Sequence, residues 1–413
     1  MTTTAADDVR TDTPEQAEFR TKVRAWLTEN IEPRREANLW SVNFHTDDAD
    51  AQAEFESQRA LQQKLYAAGL TAFTYPKQYG GQGGPPWMES IYREEAGRFE
   101  TNVGFLAATQ AMLGPTLMKY GTEEQKAEYL PKLLSGDWVF CQLFSEPGAG
   151  SDLAGLATKA VRDGDEFVLT GQKVWNSAAQ WCDHGFILVR TDPDAPKHRG
   201  ITFLLIEMDS PGIEVRPLVQ PTGAKHFNEV FLSEVRVPVA NVLGEINGGW
   251  APARTVMSNE SALIGGGSRG LSVADKLRLL ATQNGLNNDP IIRQGLATAV
   301  TRERVLGWMG EQIMAAVRRR EVPPMDPSIL KLFVAMNRVQ TGNLAMQLGG
   351  MNSIAGDSDI TQWMQAEVLS RYTVSIGGGT DEVQRNNLAE RALGLPKEPR
   401  NDHEIPWKDV PRS

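Results

Sequence analysis

The feature that most limits what this chain can fold into is a double change of hydrophobic period along its 413 residues. From Glu15 to about Leu134 apolar residues recur at helical spacing, in stretches 18–29, 53–68, 88–99, 105–120 and 123–134. The run Thr74-Tyr-Pro-Lys-Gln-Tyr-Gly-Gly-Gln-Gly-Gly-Pro-Pro86 between two of them must be a loop, because its prolines and glycines sustain neither period. From Trp138 to about Val242 the pattern becomes that of strands, at 157–162, 166–169, 186–190, 201–208, 213–218 and 230–237. Asp163-Gly164-Asp165 between the first two is a hairpin turn signal. Beyond Gly248 helical spacing returns in long segments, 249–282, 290–319, 328–348, 361–374 and 381–393. The expectation is an α+β protein of three packed units: helical over 1–134, an antiparallel β domain or barrel over 135–246, and helical again over 247–413.

Composition narrows the function classes. A formal net charge of −10 argues against general nucleic-acid binding, yet leaves room for a polyanionic ligand held by a few local cations. No apolar run approaches the roughly 18 residues of a membrane span. The polar, acidic start, Met1 to Pro14, does not resemble a secretory signal. Cys141 and Cys182 cannot make a disulfide framework, and no Cys/His cluster has metal-ligand spacing. A cytoplasmic protein is expected.

Two motifs carry the chemistry. Cys141-Gln-Leu-Phe-Ser-Glu-Pro-Gly-Ala-Gly-Ser-Asp152 reads as a short apolar strand entering a small-residue loop, where backbone can approach a flat ligand. Gly171-Gln-Lys-Val-Trp-Asn-Ser177 ends a strand with an aromatic face beside a hydroxyl. Taken singly, Phe144 and Trp175 read more readily as β-core aromatics and the serines as turn caps. Further motifs follow in order: Tyr120-Gly-Thr-Glu-Glu-Gln-Lys126, Arg216-Pro-Leu218, Phe227-Asn-Glu-Val230, Val235-Arg-Val-Pro238 and Gly378-Gly-Thr-Asp-Glu-Val-Gln-Arg385. As a set they resemble the acyl-CoA dehydrogenase family over roughly residues 14–399.

That resemblance implies a helical N-terminal domain, a middle β domain and a C-terminal four-helix bundle, with FAD held between the last two. It implies oxidation of an acyl thioester at its α and β carbons: a carboxylate takes the α proton while hydride leaves for flavin N5. By position, Gln142, Phe144 and Ser145 fall at the isoalloxazine edge, Gly150 and Ser151 in the small loop, Trp175 on the ring, and Asn176 and Ser177 beside it. Thr380 and Glu382 fall on the cofactor side. Electrons would pass to an electron-transferring flavoprotein, and the chain would form a homotetramer or homodimer, with a heteromer possible.

The base has to be located separately. Many relatives place a glutamate just before the closing Gly-Thr; here that position is Gly378, which takes no proton. Isovaleryl- and long-chain-type members carry it on the first long helix of the C-terminal domain, and counting from Gly249-Trp250 gives Glu260. Trp250, Ala253, Met257, Glu260 and Ile264 share one helical face, and an acid on an apolar stripe is costly unless paired or protonated. Either Glu260 is the base, or it sits at the stripe's edge and pairs with a nearby cation. Met257 and Ser261, with Ser151, are read as substrate-side positions.

Three departures from the family stand out. Ser261 follows Glu260 where relatives often have arginine. The Arg-x-x-Phe-Gly phosphate motif is absent, with Gln283 near its arginine's place. The Gln-x-x-Gly-Gly contact is compressed to Gln347-Leu-Gly-Gly350. A non-catalytic subunit of a heteromer, or an enzyme for acyl-carrier-protein thioesters, therefore stays open beside an acyl-CoA enzyme. Lys197-His-Arg199 is read as solvated surface charge rather than a coenzyme A contact.

Overall fold

The computed structural model describes residues 12–34, 39–42, 44–264, 272–319, 321, 325–397, 399, 402 and 404–411. The polar start before Asp12 and the glycine-rich 265–271 lie outside them.

The N-terminal unit comprises α1 (Pro14–Asn30), α2 (Asp48–Ala67), α3 (Trp87–Ala96), α4 (Gly104–Tyr120) and α5 (Glu123–Ser135). Helix starts follow from local chemistry. Thr13 with Gln16, and Thr122 with Gln125, form capping boxes, each satisfying two backbone donors that the first turn leaves free. Gln125 does a second job: its amide donates to Ala240 O at 2.8 Å and Val242 O at 2.9 Å, tying α5 to the segment that leads into the last unit.

The middle unit is one seven-stranded sheet: β1 (Phe140–Leu143), β2 (Lys159–Asp163), β3 (Glu166–Val174), β4 (His184–Arg190), β5 (Ile201–Glu207), β6 (Ile213–Leu218) and β7 (Phe227–Pro238). The β2–β3 hairpin closes with Asp163 opposite Glu166 and Gly164 at φ +62°, as the turn signal predicts. Pairing is antiparallel along β2–β3–β7–β6 and between β4 and β5. The all-antiparallel expectation fails at β4: β1 runs parallel to it, Gln142 opposite Phe186, and so does β2, Lys159 opposite Arg190, because the β2–β3 hairpin returns the chain to its original direction before β4.

The last unit holds α6 (Trp250–Ile264), α7 (Val273–Gln283), α8 (Pro290–Arg319), α9 (Pro327–Gly349), α10 (Asp359–Leu369), α11 (Thr373–Ile376) and α12 (Asp381–Asn387). The single helix expected over 249–282 is two helices, and a new N-cap marks the second: Ser272 Oγ accepts from Asp275 N at 3.1 Å. The 361–374 segment likewise breaks after Leu369.

One core joins the units where the site lies. Leu113, Leu117 and Leu130 of α4 and α5, Phe140 and Phe144 of the β1 strand and its exit, Phe186 and Phe203 of the sheet, and Ala253 and Val256 of α6 are all buried together. α6 is thus pressed between α4 and the sheet, with Tyr120 Oη 3.3 Å from Thr255 Oγ1.

Candidate active site

The two motifs are stitched together through their backbones. Val174 N donates to Ser145 O at 2.9 Å, and Asn176 Nδ2 donates to Gln142 O at 2.8 Å. Asn176 N donates in turn to Asn228 O at 3.0 Å, and Asn228 Nδ2 returns to Asn176 O at 2.9 Å. Gln142, Ser145, Trp175, Asn176 and Ser177 therefore share one seam. Asn176 acts here as a clasp, and its Oδ1 is buried with no partner among the described residues. The ring of Phe144 is 3% exposed and packs edge-on to Phe186 and Phe203, which leaves its main chain for any ligand contact from this position.

Beneath the seam lies a feature that the motifs contain but their reading missed. Lys173, fully buried, donates to Glu146 Oε1 at 2.8 Å, Leu188 O at 2.7 Å and Phe144 O at 3.1 Å. Glu146 also accepts from Ala157 N at 2.6 Å and Thr158 N at 2.9 Å. Burial pushes the Glu146 carboxyl up, but Lys173 and the amide donors outweigh it and hold the group below its ordinary value. The Ser-Glu-Pro acid and the Gln-Lys-Val lysine are thus the bolt between both motifs. A lysine in an otherwise alternating strand was the available signal.

Trp175 stands at φ +63° and is 59% exposed, edge-on to Phe227 at 5.9 Å. A bulky residue in the left-handed region is strained, and such strain marks functional surfaces. Gly148 and Gly150 have nothing within 4 Å of where a Cβ would stand, and Ser151 is exposed beside them.

Glu260 comes to this seam from the other side. Ala253 is fully buried and Trp250 and Met257 pack on the same core, so the apolar stripe predicted for α6 is present along these three positions, with Val256 buried beside it. Glu260 is half-buried, and the Gln142 side chain acts on its carboxyl from the end of the β1 strand. Burial pushes its pKa up, opposed in part by Gln142. The neighbour is an amide where the alternative reading required a cation. The side chains of Ser261 and Ile264 lie outside the described part of α6.

The closing segment explains its missing acid. Gly378 and Gly379 sit at φ +65° and +86°, in the left-handed region that a side-chain-bearing residue enters at a cost. Lys331 of α9, 3% exposed, donates to Gly379 O at 2.6 Å and anchors this turn. Thr380 caps α12, accepting from Val383 N at 3.3 Å. Thr380 and Glu382 border a cavity of about 500 Å³ with Met336, Tyr372 and Ile376; Gln142, Trp175 and Glu260 are not among its lining. Gln283 is exposed near the end of α7.

These residues define a class. The acyl-CoA dehydrogenase N-terminal domain model matches residues 13–137, its middle domain 141–235 and its C-terminal domain 247–393, and the chain belongs to that family, whose cofactor is FAD. It is 36% identical over 388 residues to acyl-CoA dehydrogenase IpdE1 of Mycobacterium tuberculosis, covering 92% of this chain and 98% of that one. Among solved structures it resembles the Tcur3481-Tcur3483 steroid ACAD, at 30% identity and TM-score 0.71, covering 94% of this chain and 99% of that one. It also resembles the ChsE4-ChsE5 complex from Mycobacterium tuberculosis, at 30% identity and TM-score 0.70, with the same coverage. The residues present fit the flavin ring: an exposed tryptophan, an open glycine loop and an orphaned buried acceptor meet at one seam. Among the described residues no helix is long and apolar enough to cross a membrane, and no His/Cys/Asp/Glu group could hold a metal.

Proposed function

We propose that the chain is a cytoplasmic FAD-dependent dehydrogenase that converts an acyl-CoA thioester to its trans-2-enoyl form, with Glu260 as the base. The observation that carries this reading is the Gln142–Glu260 pair: the one acid on an apolar helix face meets the strand of the first flavin motif, while the alternative base position is a left-handed glycine. FAD, when bound, supplies the hydride acceptor. The chain's own work is to present Glu260 ionised and oriented, and to keep water from it. An α proton of a saturated thioester is weakly acidic, so a carboxyl raised by burial is the better match to it. The Gln142 side chain eases ionisation of that carboxyl, with its own main chain clamped by Asn176.

Similarity to two-chain relatives favours a heteromer, in which a related subunit supplies the phosphate cation that this chain lacks at Gln283, with an electron-transferring flavoprotein as the electron acceptor. The steroid enzyme among the structural relatives favours a bulky, polycyclic acyl group over a straight chain. The test is Glu260→Gln with its partner present. FAD should stay bound, while flavin bleaching by an acyl-CoA panel under anaerobic conditions slows by about 10²–10⁴-fold. Bleaching at the parental rate refutes the assignment, and a parental complex that never takes up FAD favours the silent-subunit alternative.

A further inference from the structure

The expectation that Lys197-His-Arg199 is solvated surface charge fails for its first two residues. Lys197 is 9% exposed and bridges two carboxylates, Asp152 and Asp402, each at 2.9 Å. Asp152 ends the first flavin motif; Asp402 lies beyond residue 393, where the match to the family's C-terminal domain stops. Residues 404–411, also beyond it, return to the β domain. Trp407 N donates to Ala195 O at 2.9 Å and Lys408 N to Pro193 O at 3.1 Å, while Lys408 pairs with Asp194 at 2.6 Å. The indole of Trp407 donates to Gly155 O at 3.1 Å, and its ring lies 4.7 Å from the Arg190 guanidinium.

Arg190, itself buried, donates to Ala154 O at 2.6 Å and Lys197 O at 2.7 Å, and more weakly to Leu156 O at 3.4 Å. The turn directly after Gly150-Ser151 thus has three successive carbonyls, 154, 155 and 156, taken up by Arg190 and Trp407, and its Asp152 held by Lys197. The same 192–199 loop reaches the base-bearing helix. His198 packs edge-on to Trp250, the first residue of α6, at 4.9 Å, and Gly249 N donates to Ile201 O at 2.8 Å.

We infer that the C-terminal tail, through Trp407 and Asp402, is a strap that positions the flavin loop Gly150–Asp152 and the start of α6 relative to each other. The strap comes from outside the matched family domains and acts on the cofactor loop without entering the site. Trp407 and Lys197 are therefore positioning residues, not catalytic ones. The cation under the indole explains why a tryptophan serves: it covers the Arg190 guanidinium, a favourable cation–π geometry, and spends its single N–H on the flavin turn.

This inference rests on the FAD assignment and is tested by the cofactor, not by turnover. In the complex, Trp407→Ala, Trp407→Phe and a chain ending at Pro399 are compared for FAD release, followed by the rise in free-flavin fluorescence, and for the visible absorption band of bound flavin. Trp407→Ala should release FAD about tenfold faster and shift the band, the loss expected for one hydrogen bond and one cation contact. Trp407→Phe keeps the stack and should recover part of the retention; the truncated chain should lose more than Trp407→Ala. A folded Trp407→Ala with parental release rate and parental band overturns the strap, whatever the truncation does. A parental protein that takes up no FAD fails the cofactor assignment and the strap together, whereas a yellow parent with indifferent variants fails the strap alone.

Discussion

Glu146→Gln isolates the bolt beneath the two motifs. The substitution keeps shape and leaves one oxygen for the Ala157 and Thr158 amides, but strips the counter-charge from a fully buried Lys173. Breaking a buried pair by removing one partner typically costs about 3–5 kcal/mol. Lys173 retains the Phe144 and Leu188 carbonyls, which places the loss at the lower end, about 3 kcal/mol. With an unfolding entropy of about 2.1 cal/mol/K per residue, a chain of this length melting as one unit should lose roughly 3–4 °C in Tm. Scanning fluorimetry of parent, Glu146→Gln and Glu146→Gln/Lys173→Met reads this directly. The double variant, with no charge left buried, should recover most of the loss. The pH dependence has a definite sign. Glu146 is held below its unfolded value, so its contribution is full above the unfolded carboxyl pKa and fades as pH falls through the folded one. The gap between parent and Glu146→Gln should therefore be widest near neutrality and shrink below about pH 4. A single variant melting within 1 °C of the parent at neutral pH, about a quarter of the expected shift, refutes the reasoning.

Further outcomes follow from the other groups. Glu260 is raised by burial, so its ionisation opposes folding once pH passes the unfolded carboxyl range; Glu260→Gln should melt higher than the parent at pH 8 and equal to it near pH 3, as differential melts would show. The same raised group must lose its proton to act, so the rate of flavin bleaching should rise with pH through a midpoint above the ordinary glutamate value. Gly378→Ala should cost about 1 kcal/mol in chemical denaturation, because alanine at φ +65° is strained. Gly378→Glu in the Glu260→Gln background should not restore flavin bleaching; restoration would show that the closing turn can still present a base.

Much of the architecture was legible because helical and strand periods report one-sided burial, and that burial is what assembles the units. α8 falls on the predicted 290–319, and β6 on 213–218. Period alone could not separate α6 from α7, since apolar spacing continues on both sides of the glycine-rich stretch. It could not show that β1 lies parallel to β4 either, because strand direction depends on the intervening hairpin. The meeting of Gln142 with Glu260 was half legible: the helix face singled out Glu260, but nothing local joins positions 118 residues apart. Lys197 and Trp407 were invisible for a similar reason. A charged triplet and a polar tail look solvated until each is seen to cover the other.

The clasp between Asn176 and Gln142 grips a carbonyl oxygen, an atom that every amino acid has. Any residue placed at 142 would keep that grip, while only its side chain reaches the acid on α6. Position 142 is thus a dial rather than a strut: leucine there would withdraw the amide and leave the acid harder to ionise, glutamate would set a second negative group against it, and neither exchange disturbs the register of the strand.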